Sequence, residues 1–190
     1  MTVAGVVLAA GAGTRFAASG GAGPKVLAQL DGRSVLDRAL EAALDAGLDD
    51  VALVSGAVDL RDHVHRGVTL LANDRWVEGI ATSVQVAVRW AAGAGHEAVV
   101  VGLADQPSVT SAAWRALASA PLDLPIAVAT YDGRRGNPVR LTAAVWPLLP
   151  DTGDEGARSV MRRRPELVRE VPCSGQAWDV DTVEDLERWS

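Results

Sequence analysis

The sequence predicts an α/β protein whose mostly parallel sheet carries helices on both faces. Apolar β-rich runs alternate with helical patterns along nearly the whole chain, which is typical of parallel sheets. The runs at 51–54 and 98–101 show no polar alternation, as expected for strands covered on both sides. The chain has 190 residues, 48% of them hydrophobic, enough for one well-buried core. We therefore expect a single domain over residues 1–190.

Each element follows from the local pattern, in chain order. The first strand is expected near 3–9, because an apolar run ends there in small residues and glycines. Other β-rich runs bounded by turn residues predict strands near 51–55, 68–72, 98–103 and 125–131. Apolar residues at helical spacing predict helices near 34–46, 58–65, 80–92, 111–119, 142–149, 156–164 and 183–189.

The composition argues against several function classes. A net charge of −6 disfavours general binding to nucleic acids or anionic membranes. No charge-free apolar stretch approaches the roughly 18 residues of a membrane span. The single cysteine, Cys173, excludes an internal disulfide framework and fits a reducing compartment. We therefore expect a cytoplasmic protein with neither nucleic-acid nor membrane partners.

The segment after the first strand has the features of a phosphate-binding loop. Gly11 and Gly13 permit a tight turn that brings backbone N–H groups close to an anion, and Arg15 and Lys25 add two positive charges. Phe16 stands where a dinucleotide fingerprint requires glycine, and Lys25 is not followed by the Ser or Thr of a Walker loop. The alternative is a tight strand-to-helix connection that binds nothing.

Polar residues follow several predicted strands. Gly11, Asn73 and Asp105 all stand at carboxyl ends of strands, where open α/β sheets bind ligands. Asp105, beside the phosphate loop, is a candidate Mg²⁺ ligand, and its alternative role is a turn or cap residue. Alternation places Asp179 and Asp181 on one face, so either could reach the same ion. Their alternative role is to cap the last helix.

Asn73 begins a third group of candidate contacts. Asn73 and Ser83 can form hydrogen bonds with a base or sugar, and Gly79 starts a helix whose N-terminus favours a phosphate. The alternative is a capped helix start with an exposed Trp76.

A fourth group lies in the second half of the chain, around Asn137-Pro138 and Asp154. Asp154 at a helix start is favourable for the helix dipole alone. Arg158, one turn into that helix, could hold a substrate phosphate or pair with a neighbouring carboxylate.

Together these motifs match a family. LAAGAGTR, PK, ND-W-EG-S, LADQP, RGNPV, GDEGAR and DVDTVEDL occur in this order between Leu8 and Leu186. The chain resembles the molybdenum cofactor cytidylyltransferases within the MobA-like nucleotidyltransferase superfamily. The resemblance implies a Rossmann-like nucleotidyltransferase fold and Mg²⁺-dependent transfer of CMP from CTP to the terminal phosphate of molybdopterin, with release of pyrophosphate. Ala10 resembles the cytidine-using members more than the guanosine-using ones.

The resemblance also implies roles for individual residues. Arg15 and Lys25 would neutralise the triphosphate, and Asp105 with Asp181 would hold Mg²⁺. Nucleotide contacts would come from Leu8, Ala9, Ala10, Gly11, Gly13, Thr14, Asn73, Gly79 and Ser83. Contacts to the acceptor would come from Asn137, Pro138, Asp154 and Arg158.

Two departures from the family pattern concern the substrates. Phe16 stands where the family usually has Met, and the glycine-rich interval before Lys25 is longer than usual. Asn137 replaces a His that is common in this motif, which puts the identity of the acceptor in doubt.

Two alternatives to cytidylyl transfer remain open. The chain could be a related nucleotidyltransferase that uses another nucleotide or another phosphorylated acceptor. It could also be a non-catalytic chaperone that binds the molybdenum cofactor. In the family, transient contact with a molybdenum hydroxylase is the expected means of delivery.

Overall fold

One seven-stranded sheet dominates the structure, a computed structural model that describes residues 1–189. The strands are β1 (Val3–Ala9), β2 (Gln29–Leu30), β3 (Arg33–Ser34), β4 (Asp50–Ser55), β5 (Val68–Ala72), β6 (Ala98–Leu103), β7 (Ile126–Tyr131), β8 (Arg134–Thr142) and β9 (Val168–Pro172). The α-helices are α1 (Thr14–Ala18), α2 (Val35–Leu44), α3 (Ile80–Gly93), α4 (Ser111–Ala118), α5 (Ala157–Arg163) and α6 (Val183–Arg188).

The strand order in the main sheet is β5-β4-β1-β6-β8-β7-β9. Within it, β8 runs antiparallel to both of its neighbours, β6 and β7, and every other pairing is parallel. The two remaining strands, β2 and β3, form a separate short hairpin. The predicted α/β fold with a mostly parallel sheet is therefore confirmed.

Helices cover both faces of the sheet, as predicted. On one face α2 and α4 bury a core that includes Leu36, Leu40 and Trp114. On the other face α3 and α5 bury a second core that includes Val84 and Met161. Both faces of β1, β4 and β6 are buried, which explains why these strands show no polar alternation.

The expected strands all appear within about one residue of their predicted bounds, but β2, β3, β8 and β9 are not among the predicted strands. The β8 segment contains Gly136 and Pro138, which normally weaken a strand pattern. The strand accommodates them through a shift in register: Val128 pairs with Val139, whereas Ala129 pairs with Gly136. Asn137 and Pro138 therefore lie in a β-bulge.

Two predicted α-helices are only 3-10 turns. The segment expected at 58–65 contains a single turn, Arg61–His63, because the Asp59 carboxylate accepts hydrogen bonds from the backbone and the guanidinium of Arg61. The segment expected at 142–149 forms a 3-10 helix, Ala143–Leu148, with Pro147 inside it. Among residues 1–189, none of the helices is both long and apolar enough to cross a membrane.

Candidate active site

The loop that follows β1 has free backbone donors at the carboxyl edge of the sheet. Gly13 adopts a left-handed conformation with φ of 65°, so the chain turns directly into α1. In the described part of the chain, the N–H groups of Gly11, Ala12 and Gly13 donate to no protein acceptor. The loop is largely exposed. The arrangement can therefore present several N–H groups to one anion.

Lys25 connects this loop to two carboxylates. Its Nζ lies 2.7 Å from Asp105 Oδ2 and 3.2 Å from Asp181 Oδ1. The side chain is only 13% exposed, and a Cβ on Gly13 would lie 2.9 Å from Lys25 Cβ. Glycine at position 13 thus lets the loop pass close to the lysine.

Asp105 lies just beyond the end of β6. Its main-chain oxygen accepts a hydrogen bond from the N–H of Val180, at 2.9 Å. Val180 is buried against Phe16 and Val35, so the segment before α6 is fixed beside β6. This contact brings Asp179 and Asp181 alongside Asp105, although more than 70 residues separate them from it.

Asp179 and Asp181 have different partners. Asp181 Oδ2 lies 2.7 Å from Nη1 of Arg15, whose side chain is 76% exposed. Asp179 Oδ1 instead accepts a 2.8 Å hydrogen bond from Nε2 of the buried Gln106. Asp181 is therefore the carboxylate that shares Lys25 with Asp105.

The close carboxylates alter the acid–base properties of the site. Burial disfavours the charged form of Lys25, but its contacts with Asp105 and Asp181 outweigh burial and raise its pKa, so the amine is charged at neutral pH. Burial, reinforced by the negative charges of Asp105 and Asp181, raises the pKa of Asp179 despite the hydrogen bond from Gln106.

Three of these residues, Asp105, Asp179 and Asp181, line a cleft of about 620 Å³. Arg15, Asp105 and Asp181 line it together with Asn137, Asp154 and Arg158, so the cleft joins predicted nucleotide, metal and acceptor residues. Its walls are mainly apolar and include Leu8, Ile80, Val101, Val128, Leu141 and Met161. The cleft can hold a ligand with an uncharged body and charged ends.

Three further arginines, Arg135, Arg158 and Arg162, line the cleft. Arg162 pairs with Glu155 through Nη1 and Nη2. Arg135 pairs with Glu170 through Nε alone. In the part of the chain that the structure describes, the Arg158 guanidinium has no ion pair or hydrogen bond. Asn137 lines the cleft and its carbonyl accepts a hydrogen bond from the Tyr131 hydroxyl, whereas Pro138 is buried in the β8 bulge.

Asn73 and Ser83, both predicted to contact the nucleotide, have protein partners in the structure. Both are buried, and neither lines the cleft. The Asn73 amide donates to the hydroxyls of Thr82 and Ser83, and its oxygen accepts from the Arg75 N–H. Their polar groups therefore fix the start of α3.

Gly79 lies where the start of α3 contacts the segment that carries Gly153 and Asp154. Its φ is 100°, and a Cβ there would lie 2.4 Å from the backbone of Gly153. The N–H of Ala81 donates to the Gly153 oxygen. This junction sets Ile80 and Asp154 on the wall of the cleft.

Several residues of the site were not singled out from the sequence. Gln106 lies within the LADQP motif, and its contact with Asp179 depends on the fold. Arg135 begins the RGNPV motif and Arg162 follows the GDEGAR motif. That both line the cleft depends on the geometry of β8 and α5. Lys25, which the sequence does single out, is also the only lysine among 18 Lys and Arg residues.

The site offers oxygen donors for a divalent cation, although among residues 1–189 no group of three or more His, Cys, Asp or Glu side chains is arranged to hold one alone. Asp105 Oδ1 is buried and has no hydrogen-bond partner, and Asp181 is adjacent across Lys25. Mg²⁺ is commonly bound by one or two carboxylates together with substrate phosphates. The donor set fits such a cation.

Comparisons with known proteins agree with this geometry. The MobA-like NTP transferase domain matches residues 5–168. Nicotine blue oxidoreductase from Paenarthrobacter nicotinovorans is 33% identical over 201 residues, covering 98% of this chain and 95% of that protein. The purine catabolism protein PucB from Bacillus subtilis (strain 168) is 29% identical, covering 96% and 93%. The structure of Rv0371c from Mycobacterium tuberculosis H37Rv in complex with manganese is 29% identical, with a TM-score of 0.81, covering 100% of this chain and 98% of that chain.

Proposed function

The chain belongs to the MobA-like NTP transferase domain family, and on that premise we propose that it transfers CMP from CTP to the terminal phosphate of a molybdopterin-type acceptor. An acceptor phosphate oxygen forms a bond to the α-phosphorus of CTP. The bond between the α-phosphorus and the bridging oxygen breaks, and pyrophosphate leaves. The observation that carries the proposal is Lys25 between Asp105 and Asp181, beside the free N–H groups of the glycine loop.

The protein's own groups bind and orient the triphosphate. The N–H groups after β1 donate to phosphate oxygens, while Arg15 and Lys25 offset the repulsion between two anionic reactants. A phosphate acceptor is already ionised at neutral pH, so the reaction requires no general base. Rate enhancement then comes from alignment and charge neutralisation.

Asp105 and Asp181 are the proposed holders of Mg²⁺. Mg²⁺ bound there would withdraw charge from the α-phosphate and the leaving pyrophosphate. The manganese complex of Rv0371c, a relative with 29% identity, supports a divalent cation in this fold. The third carboxylate, Asp179, accepts a hydrogen bond from Gln106 and has no ion pair with Lys25 within residues 1–189.

In this proposal the acceptor binds in the part of the cleft that Asn137 and Arg158 line. The unpaired Arg158 guanidinium is suited to an anionic group, because arginine can donate two parallel hydrogen bonds to a phosphate. The apolar walls accommodate the uncharged part of the molecule. The choice of CTP rests on Ala10 and the family resemblance.

The test is pyrophosphate release from purified protein with Mg²⁺ and molybdopterin, comparing CTP, GTP and ATP. We expect strong release with CTP only, and none when the acceptor is omitted. Preference for another nucleotide would overturn the choice of CTP but keep the reaction class. No release with any nucleotide would overturn the catalytic proposal, and cofactor binding by the same sample would then favour the chaperone function.

A redox activity is the second candidate, because a relative with 33% identity is named nicotine blue oxidoreductase. The carboxylates and cations around Lys25 favour a polyphosphate substrate instead. Oxidation of NADH or NADPH in the presence of a dye acceptor, measured beside pyrophosphate release, separates the two activities. Dye reduction without pyrophosphate release would favour the second candidate.

A further inference from the structure

Lys25 occupies a position for which lysine and arginine are not equivalent. It is the only lysine in a chain with 18 Lys and Arg residues, so arginine supplies every other permanently cationic side chain. Arginine presents a rigid, planar fork, whereas lysine is a compact point charge on a flexible stem. A lysine here can leave one set of partners and reach another without rearranging a planar group.

The ammonium of Lys25 and a divalent cation would compete for the same space. Nζ lies 2.7 Å from Asp105 Oδ2 and 3.2 Å from Asp181 Oδ1. Mg²⁺ binds carboxylate oxygens at about 2.0–2.1 Å, so a cation bound to both of these oxygens would overlap Nζ. One of the two positive groups has to move.

The main chain that carries the two carboxylates is held in place, and their side chains are short, whereas the lysine side chain is long and flexible. The main chain of Asp105 is bonded to Val180, and the N–H of Asp181 donates to the Asp185 carboxylate. The lysine stem, in contrast, projects from a single 3-10 turn, Lys25–Leu27, and holds its place through its two ion pairs. The lysine is therefore the group that moves.

We infer that Lys25 is an exchangeable occupant of the cation position: it neutralises Asp105 and Asp181 in the free protein and transfers to the triphosphate when Mg²⁺ enters with the nucleotide. The inference rests on the proposed nucleotidyl transfer. Its consequence is that the cation alone binds weakly, because binding breaks two half-buried ion pairs. With nucleotide present, the displaced ammonium gains a new anionic partner, so cation and nucleotide bind cooperatively and each strengthens the other by the same factor.

The first experiment measures Mn²⁺ affinity without nucleotide, using the electron paramagnetic resonance signal of free Mn²⁺. We expect Lys25→Met to bind Mn²⁺ about tenfold more tightly than the unmodified protein, a coupling of ordinary size. Arg15→Met is the matched control, because Arg15 also pairs with Asp181 but is 76% exposed and does not lie between the carboxylates. Loss of that exposed pair should change Mn²⁺ affinity by about threefold or less.

The two variants separate displacement from a general charge effect. Equal gains in Mn²⁺ affinity for Lys25→Met and Arg15→Met would overturn the inference, since removal of any nearby positive charge would then explain both. Unchanged or weaker Mn²⁺ binding by Lys25→Met would also overturn the inference. Such a result would show that the lysine holds the carboxylates in place and does not compete with the cation. Lys25→Gln, which retains N–H donors without the charge, is measured in parallel in case Lys25→Met does not fold.

The second experiment uses the unmodified protein. Labelling with ¹³C-lysine gives one lysine side-chain signal, since the chain has one lysine. We expect little change at that signal with millimolar Mg²⁺ alone and a large shift with Mg²⁺ and CTP together. A large shift with Mg²⁺ alone, or none with both, would contradict the exchange.

These tests do not depend on the acceptor or on turnover. If pyrophosphate release fails but Lys25→Met gains Mn²⁺ affinity, the exchange stands and the proposed reaction is wrong. If pyrophosphate is released and Lys25→Met loses both Mn²⁺ affinity and activity, the reaction stands and the exchange is wrong. Gain of Mn²⁺ affinity together with loss of turnover supports both.

Discussion

Asp105 has two carboxylate oxygens with opposite surroundings. Oδ2 is paired with the Lys25 ammonium at 2.7 Å, while Oδ1 is buried without a hydrogen-bond partner. A buried, unsatisfied oxygen costs free energy, commonly about 1–3 kcal/mol. Such a cost in the structure is compatible with a carboxylate kept for a ligand.

We expect Asp105→Asn to lower the rate of pyrophosphate release by about 10²-fold or more, because it removes the charge of a proposed cation ligand. The measurement is kcat with saturating CTP and Mg²⁺, together with thermal unfolding of the same sample. Asp59→Asn is the matched control, since Asp59 is also paired with a basic side chain, that of Arg61, but lies outside the cleft. Near-normal turnover of Asp105→Asn would remove Asp105 from the mechanism.

At the scale of elements, a capping box fixes the start of α2. The Ser34 hydroxyl accepts from the Asp37 N–H at 3.0 Å, and the Asp37 carboxylate accepts from the Ser34 N–H. The same carboxylate lies 2.8 Å from Nε2 of His65. Burial tends to raise the pKa of Asp37, but the hydrogen bonds from His65 and Ser34 outweigh it and lower the pKa.

This cap predicts a pH-dependent stability. Because the pKa of Asp37 is lower in the folded protein, its charge stabilises the fold above the unfolded pKa, and the stabilisation is lost as the pH falls through the folded value. Asp37→Ala should cost about 1 kcal/mol at neutral pH and less as the pH falls below about 4. Urea unfolding of both proteins at several pH values measures the difference. A cost that stays constant with pH would show that the charge is not what stabilises the cap.

Elements also explain how the part of the cleft around Asn137 and Asp154 is built. The register shift in β8 places Asn137 on the cleft, while the contact of Gly79 with Gly153 sets α3 against the loop that carries Asp154. Each of these positions depends on backbone geometry that only a glycine or a bulge permits.

At the scale of the whole molecule, Trp114 of α4 packs directly on the sheet. It is 2% exposed, and a Cβ on Gly102 of β6 would lie 2.4 Å from its ring. The ring also lies near Gly5 of β1, 3.6 Å from where a Cβ would stand. Glycines on two neighbouring strands thus make room for the largest side chain of this core.

Gly102→Ala should therefore overpack the core and destabilise the fold by about 1–3 kcal/mol. Gly93→Ala is the matched control, because nothing lies within 4 Å of a Cβ at that position in α3. The control should be neutral or stabilising by up to about 1 kcal/mol. Urea unfolding midpoints compare the two, and equal stabilities would show that the Trp114 side of the core can relax.

The sequence by itself determined the α/β class, the first strands, the edge at which the site lies and the family, because hydrophobic periodicity and short motifs are local properties of the chain. It placed Gly11, Asn73 and Asp105 at one edge because parallel strands end there, with Arg15 and Lys25 beside the glycine loop. It could not assign β8, whose Gly136 and Pro138 break the local pattern.

Only the tertiary structure decided which side chains meet. Lys25 reaches Asp181, a residue 156 positions further on, because Val180 is fixed beside the end of β6. Asn73 and Ser83 are buried and bonded to each other because the start of α3 uses their polar groups. Such contacts depend on how distant segments pack and on which buried polar groups need partners, and no local pattern encodes either.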